Sequence, residues 1–376
     1  MAAIRNPFII SGYLSAEYFC DREQEKENMI REVTNGNNLA IISTRRMGKT
    51  GLIKHCFSDK QIAKDYYTFF VDIYATKSLR DFVFSLSKVI LEELKPFGKR
   101  AIEQFWNSVK SLQADITFDA YGNPSFNVGL GNIRSSEITL DEIFRYLNNA
   151  DKPCIVAIDE FQQIAKYPEE NIEAVLRTYV QQCVNARFIF AGSQRHTMGN
   201  MFLSASRPFY QSVSMMYLES IPLEKYVGFA KKHFEKNKKK ITPETIGVIY
   251  QTFEGITWYL QKMLNVLYSL TPANGICNES MIAEALSDVI NSYKFTYSEI
   301  LFRMPEKQKE LLIAITKEGK AAAVTSGDFV QKYGLTSASS VQSALRGLLD
   351  KDFITQEYGE CQVYDRFFGI WLRENF

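Results

Sequence analysis

Ser43-Thr44-Arg45-Arg46-Met47-Gly48-Lys49-Thr50 follows the apolar run Leu39–Ser43 and opens the apolar stretch Gly51–Phe57. The octapeptide fits G-x-x-x-x-G-K-[ST] everywhere but at its first position, where Ser43 replaces Gly. A short buried strand, a tight turn and a helix are what this order predicts. The turn's backbone N–H groups then converge on one point at the positive end of the helix, a ready anion site. Gly48 lets the backbone approach a ligand where a side chain would block it. Lys49 is placed to reach the β- and γ-phosphates of a nucleotide, and the Thr50 hydroxyl to ligate Mg²⁺. A bare Gly-Lys-Thr or Gly-Lys-Ser arises by chance in roughly one chain in five of this size. Its specificity here comes from the strand before it and the helix after it.

A second signal lies about a hundred residues on. Cys154-Ile155-Val156-Ala157-Ile158-Asp159-Glu160 is an apolar strand ending in two acids. Ionised carboxylates avoid interiors unless paired or metal-bound. Asp159 is therefore expected to hold Mg²⁺, and Glu160 to act as general base on an attacking water. Two more runs end in polar groups: Tyr66–Ile73 carries Asp72, and Arg187–Ser193 continues into Gln194 and Arg195. Ligands of open α/β sheets bind at the carboxyl ends of strands, so Ser193 or Gln194 is expected beside the γ-phosphate.

Working outward, short apolar runs alternate with helical patterns over residues 1–220, and Val213–Leu218 supplies a fifth strand. Most of these runs are apolar throughout, which suits strands buried on both faces of a parallel sheet. Within this region ITFDAYGNPSFNVGL (116–130) alternates with period two around Gly122-Asn123-Pro124 and predicts an inserted β-hairpin. Residues 221–298 turn helical and predict a small all-α subdomain. Its run KKHFEKNKKK (231–240) is expected to be a solvated helix end. Residues 299–376 read as three short helices and a β-ribbon, a winged helix-turn-helix with Ser337 as N-cap of the third helix.

Composition narrows the classes. The 376 residues carry a formal net charge of +1, so no global attraction to nucleic acid or membrane is implied. Six scattered cysteines form no C-x-x-C pair, and with three histidines they offer no zinc-ligand spacing. Neither a signal peptide nor a transmembrane run is evident, and a reducing cytoplasm is expected. Residues 299–376 hold ten Lys/Arg against eleven Asp/Glu, and the third helix offers only Arg346 and Lys351 as cations. DNA affinity depends on phosphate neutralisation, so an intramolecular or protein-contact role is expected of this domain, and a protein partner or self-association of the whole chain. DNA remains the alternative.

With these motifs in place, the chain resembles the archaeal-type ATPases of the AAA+/STAND group, in a version common in Bacteroidales. The resemblance spans nearly the whole chain. It rests on Phe19-Cys20-Asp21-Arg22-Glu23, on Arg45–Thr50, and on Ile158-Asp159-Glu160-Phe161-Gln162-Gln163-Ile164. It rests also on Phe190–His196, Ser206-Arg207-Pro208-Phe209-Tyr210 and Tyr364–Leu372. It implies a five-stranded sheet of order 5-1-4-3-2, a helical lid, a winged helix, and ATP hydrolysis used as a switch or motor. It places the segment from Pro7 to Arg22 near the adenine. Ser43, Thr44, Arg45, Arg46, Met47, Gly48, Lys49, Thr50, Gly51 and Arg22 are thus the expected nucleotide-binding residues.

Several departures stand out. Asp21 occupies a Gly position, and Gln211 stands where many relatives have an Arg that reaches a neighbour's γ-phosphate. Arg195 and Arg207 are the candidate substitutes. Glu254-Gly255-Ile256-Thr257-Trp258-Tyr259-Leu260 resembles the lid turn but has no Arg. Some relatives continue into a nuclease-like module, which this polypeptide is not expected to carry. A slowly hydrolysing, nucleotide-loaded DNA-binding protein, like the origin-recognition ATPases, is the second reading. A small-molecule kinase is a third, which the helical lid and winged helix argue against.

Overall fold

The computed structural model describes residues 6–112, 115–118, 124–127, 133 and 135–376. Strands β1 (Leu39–Ile42), β2 (Tyr67–Asp72), β5 (Cys154–Asp159), β6 (Ala186–Gly192) and β7 (Ser214–Tyr217) form one sheet in the order β2-β5-β6-β1-β7. All four pairings are parallel. Counted within this sheet the order is 5-1-4-3-2, as expected.

The reason is visible along β5. Cys154, Val156 and Ile158 pack into one core, whereas Ile155 and Ala157 pack into another on the opposite face. Strand β1 divides likewise, Ala40 and Ile42 to one side and Leu39 and Ile41 to the other. A strand wrapped on both faces has no position for a polar residue until it ends. Register then lines those ends up: Asp72 sits opposite Asp159, and Ile42 opposite Gly192.

The expected hairpin falls partly outside the described residues. Strands β3 (Asp115–Phe118) and β4 (Pro124–Asn127) pair antiparallel, Phe118 opposite Pro124. The proposed turn residues Gly122 and Asn123 lie outside them.

The chain divides into two compact units. One holds residues 9–226 together with 256–258, and the other residues 6–8, 227–255 and 259–376. The second unit contains the helices Pro243–Thr252 and Ile282–Arg303 and the short parallel pair β8 (Lys240–Ile241) and β9 (Ile276–Cys277). It also contains the helices Glu306–Glu318, Gly327–Lys332 and Ala338–Asp350 with the three-stranded sheet β10 (Ala321–Ala322), β12 (Glu360–Val363) and β11 (Ile354–Glu357). This is the expected winged helix. Ser337 caps its third helix, the side chain accepting from the Ser340 N–H. All six cysteines are buried free thiols, and among the described residues no helix is long and apolar enough to cross a membrane.

Candidate functional site

The turn from β1 into helix Lys49–Phe57 runs through two left-handed residues, Arg46 at φ 68° and Gly48 at φ 92°. A φ of 92° is Gly territory, which explains the motif's requirement there. Lys49 is buried and folds back on the turn. Its Nζ donates to Ser43 Oγ at 3.2 Å and to the carbonyls of Ser43 and Thr44 at 3.4 Å. Ser43, in the family's Gly position, is fully buried and supplies a hydroxyl to the lysine.

Thr50 Oγ1 donates to Asp159 Oδ2 at 2.6 Å, joining the start of the helix to the end of β5. The Glu160 backbone N–H donates to the other Asp159 oxygen at 3.0 Å. Burial pushes the Asp159 carboxyl above its ordinary pKa, and the Thr50 hydroxyl and Lys49 ammonium act against that push. Burial likewise pushes the Lys49 ammonium down. Asp159 and Glu160 oppose that push, while Arg45 and Arg195 add to it. Three cations thus bear on one pocket floor that holds two acids.

Glu160 leaves β5 in the left-handed region at φ 57°. Its Oε2 accepts from Ser193 Oγ at 2.7 Å and from Gln162 Nε2. Arg45 Nε donates to the same Ser193 oxygen at 3.2 Å, linking the turn to the end of β6. Gly192 makes room for this: a Cβ there would lie 2.4 Å from Met198 Sδ and 2.5 Å from Gln162 Oε1. Gln162 went unnoticed in the sequence. Its one mark in the sequence is its place two positions past Glu160, in the turn Phe161–Lys166.

The remaining candidates fall in distinct places. Gln194 precedes helix Arg195–Leu203 and accepts from Thr197 Oγ1 at 3.1 Å. Arg195 begins that helix, and its buried Nε has no hydrogen-bond partner. Arg207 is ion-paired with Glu173. Gln211, which the resemblance sets where many relatives have Arg, lies on the surface beside the Tyr210 hydroxyl. Arg22 is buried and braces the turn from outside, donating to the Met47 carbonyl at 3.3 Å and pairing with Glu25 at 2.7 Å. Asp21 has φ 50°, so the Gly position it fills is a left-handed one that Asp tolerates. Gly51 faces Phe19, whose ring would lie 2.9 Å from a Cβ there.

Residues 256–258, within the segment Glu254–Leu260 that resembles a lid turn, are bound to the phosphate turn itself. Thr257 Oγ1 donates to the Met47 carbonyl at 3.2 Å, and the Trp258 N–H to the Arg46 carbonyl at 3.0 Å. The Arg46 guanidinium lies 4.4 Å over the Trp258 ring, and the indole N–H donates to the Ile10 carbonyl at 3.1 Å. This cation–π stack fixes the side chain of a residue the motif leaves free.

Residues 19–263 match the family described as an ATPase domain predominantly from Archaea. The chain belongs to that family. Residues 295–374 match a probable winged helix domain. No curated protein sequence is detectably similar to the chain. Among solved structures the chain is similar to a Walker-type ATPase of Pyrococcus abyssi, with 16% identity and a TM-score of 0.66. That alignment covers 98% of this chain and 99% of the other. The ORC2 protein of Aeropyrum pernix, solved with ADPNP and ADP, aligns at 13% identity and TM-score 0.61, covering 99% and 97%. The ORC1 protein of the same organism, solved with DNA, aligns at 10% identity and TM-score 0.56, covering 99% and 96%. Identities this low establish a shared fold alone.

Proposed function

We propose that this ATPase-family protein binds ATP with Mg²⁺ and hydrolyses it, and that the cycle switches its helical and winged-helix domains. The observation that carries this reading is the contact of Thr50 Oγ1 with Asp159 Oδ2, with Glu160 held one residue further on. A hydroxyl and a carboxylate, both hard oxygen ligands, fit Mg²⁺, which takes few protein ligands and completes its shell with water and phosphate. Mg²⁺ bound there would neutralise charge on the β- and γ-phosphates.

The chain's own groups do the rest. Loop N–H groups bind the phosphates, and Lys49 exchanges its contacts with Ser43 and Thr44 for phosphate oxygens. Glu160 accepts the proton of the attacking water, and Ser193 and Gln162 fix where its carboxylate lies. Arg45 and Arg195 are the cations positioned to share the γ-phosphate charge. Arg207 reaches a phosphate only by leaving Glu173. ADP is the product retained or released. A cytoplasmic location, self-association and membership of the STAND group belong to the same reading.

The DNA-loaded reading is less well supported. The wing tip pairs Glu357 with Glu360 directly across the hairpin, and these acids repel a phosphate backbone. The primary test is ATP binding in the presence of Mg²⁺ by isothermal titration. Wild type is expected to bind and Lys49→Ala to lose at least tenfold in affinity, about 1.4 kcal/mol. Equal affinities would overturn the assignment of the loop.

A further inference from the structure

The second compact unit contains a cavity that the nucleotide chemistry does not use. It has a volume of about 280 Å³, just under the roughly 300–1,000 Å³ common for small-molecule sites. Lys320, Arg366 and Arg373 line it, with Glu254 as its single lining carboxylate. Glu254 is already shared. Its Oε2 lies 3.2 Å from Lys320 Nζ and 3.7 Å from Arg366 Nη2, and its Oε1 accepts from Gln362 Nε2 at 3.0 Å.

Two other acids, Glu357 and Asp365, act on Arg366 from a distance, but neither lines the cavity. Asp365 spends its carboxylate on the start of helix Arg366–Asn375, accepting from the N–H groups of Phe367 and Phe368. Glu357 lies on β11 and does not line the cavity.

Arg366 is the informative residue. Its side chain is only 15% exposed, and Nη1 donates to the Val363 carbonyl at 2.6 Å, yet its buried Nε–H has no acceptor. A buried donor left unmade is costly. Arg373 spends one weak bond on the Thr316 carbonyl, at 3.4 Å. Three cations, one shared carboxylate and an orphan guanidinium N–H make a site short of negative charge. Guanidinium groups bind phosphate through paired N–H donors, and an ammonium adds a point charge.

We propose that this cavity is an anion site for a small phosphate-bearing molecule, gripped by Lys320, Arg366 and Arg373. The anion competes with Glu254 for the same donors. Glu254 itself sits in a left-handed turn at φ 54°, and the chain runs from it through Gly255 directly into Ile256–Trp258.

The test uses the full chain carrying Lys49→Ala, so that the phosphate turn is weakened, with inorganic pyrophosphate as the probe in isothermal titration. Binding is expected to survive Lys49→Ala and to weaken at least tenfold when Lys320→Gln and Arg373→Gln are added, about 1.4 kcal/mol. Both side chains are exposed, and a thermal melt by circular dichroism checks that the variant folds. Glu254→Gln, which removes the competing carboxylate, is expected to tighten binding. Loss of all pyrophosphate binding with Lys49→Ala alone would overturn the proposal. So would an affinity unmoved by Lys320→Gln with Arg373→Gln, or one weakened by Glu254→Gln. A short DNA duplex is titrated in parallel. If the Lys320 and Arg373 changes abolish duplex binding but spare pyrophosphate, the residues serve a nucleic-acid backbone and the proposal also falls.

Discussion

Glu160 is held at two levels, by backbone and by side chain. Its left-handed φ of 57° is uncommon for a residue with a Cβ, and such conformations cost on the order of 1–3 kcal/mol. Ser193 and Gln162 then hold its carboxylate, and Gly192 leaves space for Gln162. Gly192→Ala is expected to destabilise the protein by about 1–3 kcal/mol through overpacking, measured by chemical denaturation. Hydrolysis should fall more than ATP affinity, because the displaced groups are Met198 and Gln162, the latter a partner of Glu160, and neither belongs to the phosphate turn. An unchanged midpoint and rate would show that the site tolerates the extra methyl. At this scale the sequence was readable where chemistry and position coincide. Lys49, Thr50, Asp159 and Glu160 are each fixed by type and by place at an element's end. The role of Gln162 was not readable: its place two positions past Glu160 is visible, but the turn Phe161–Lys166 folding back toward β6 is encoded by no spacing rule.

Helix Lys49–Phe57 works at both ends. Its first turn carries Lys49 and Thr50, and further along it His55 meets the segment before residue 20. The Tyr13 hydroxyl lies 2.8 Å from His55 Nδ1 and 2.9 Å from Ser58 Oγ, and the Phe19 ring centroid is 4.8 Å from that of His55. Burial pushes the His55 imidazole below its usual 6.5, nearby Lys26 adds to this, and Asp59 opposes it. The unfolded chain therefore takes up a proton before the folded one does. The neutral imidazole's contribution to stability is complete above about pH 6.5 and is lost as pH falls below it toward the folded value. Wild type is expected to lose more thermal stability between pH 7.5 and 5.5 than His55→Gln does, on melts in matched buffers. Equal losses would place the pH dependence elsewhere. The strands themselves were legible to within a residue at their ends, most plainly β1 and β5, where double-faced burial writes an apolar run that ends in a polar residue. The binding of 256–258 to the Arg46 and Met47 carbonyls was not legible: it joins residues more than two hundred positions apart through backbone groups that every residue has.

For the whole molecule, the succession of an α/β domain, helices and a winged helix was legible because each region changes its hydrophobic period. Charge distribution decides what the last domain does. With Glu357 and Glu360 at the wing tip, Arg346 as the one Lys or Arg of the third helix and Lys351 just past its end, a DNA duplex is expected to leave the ATP hydrolysis rate within about twofold at physiological salt. A rise of tenfold or more that salt abolishes would favour the DNA-loaded reading. The central claim is that Glu160 performs chemistry while Lys49, Thr50 and Asp159 bind, and one comparison tests it directly. Steady-state hydrolysis of Mg-ATP is measured for wild type and Glu160→Gln, with ATP affinity determined for both. The account predicts measurable turnover in wild type, a loss of about a hundredfold or more in the variant, and affinities that match within about threefold. Turnover that survives Glu160→Gln undiminished would contradict it.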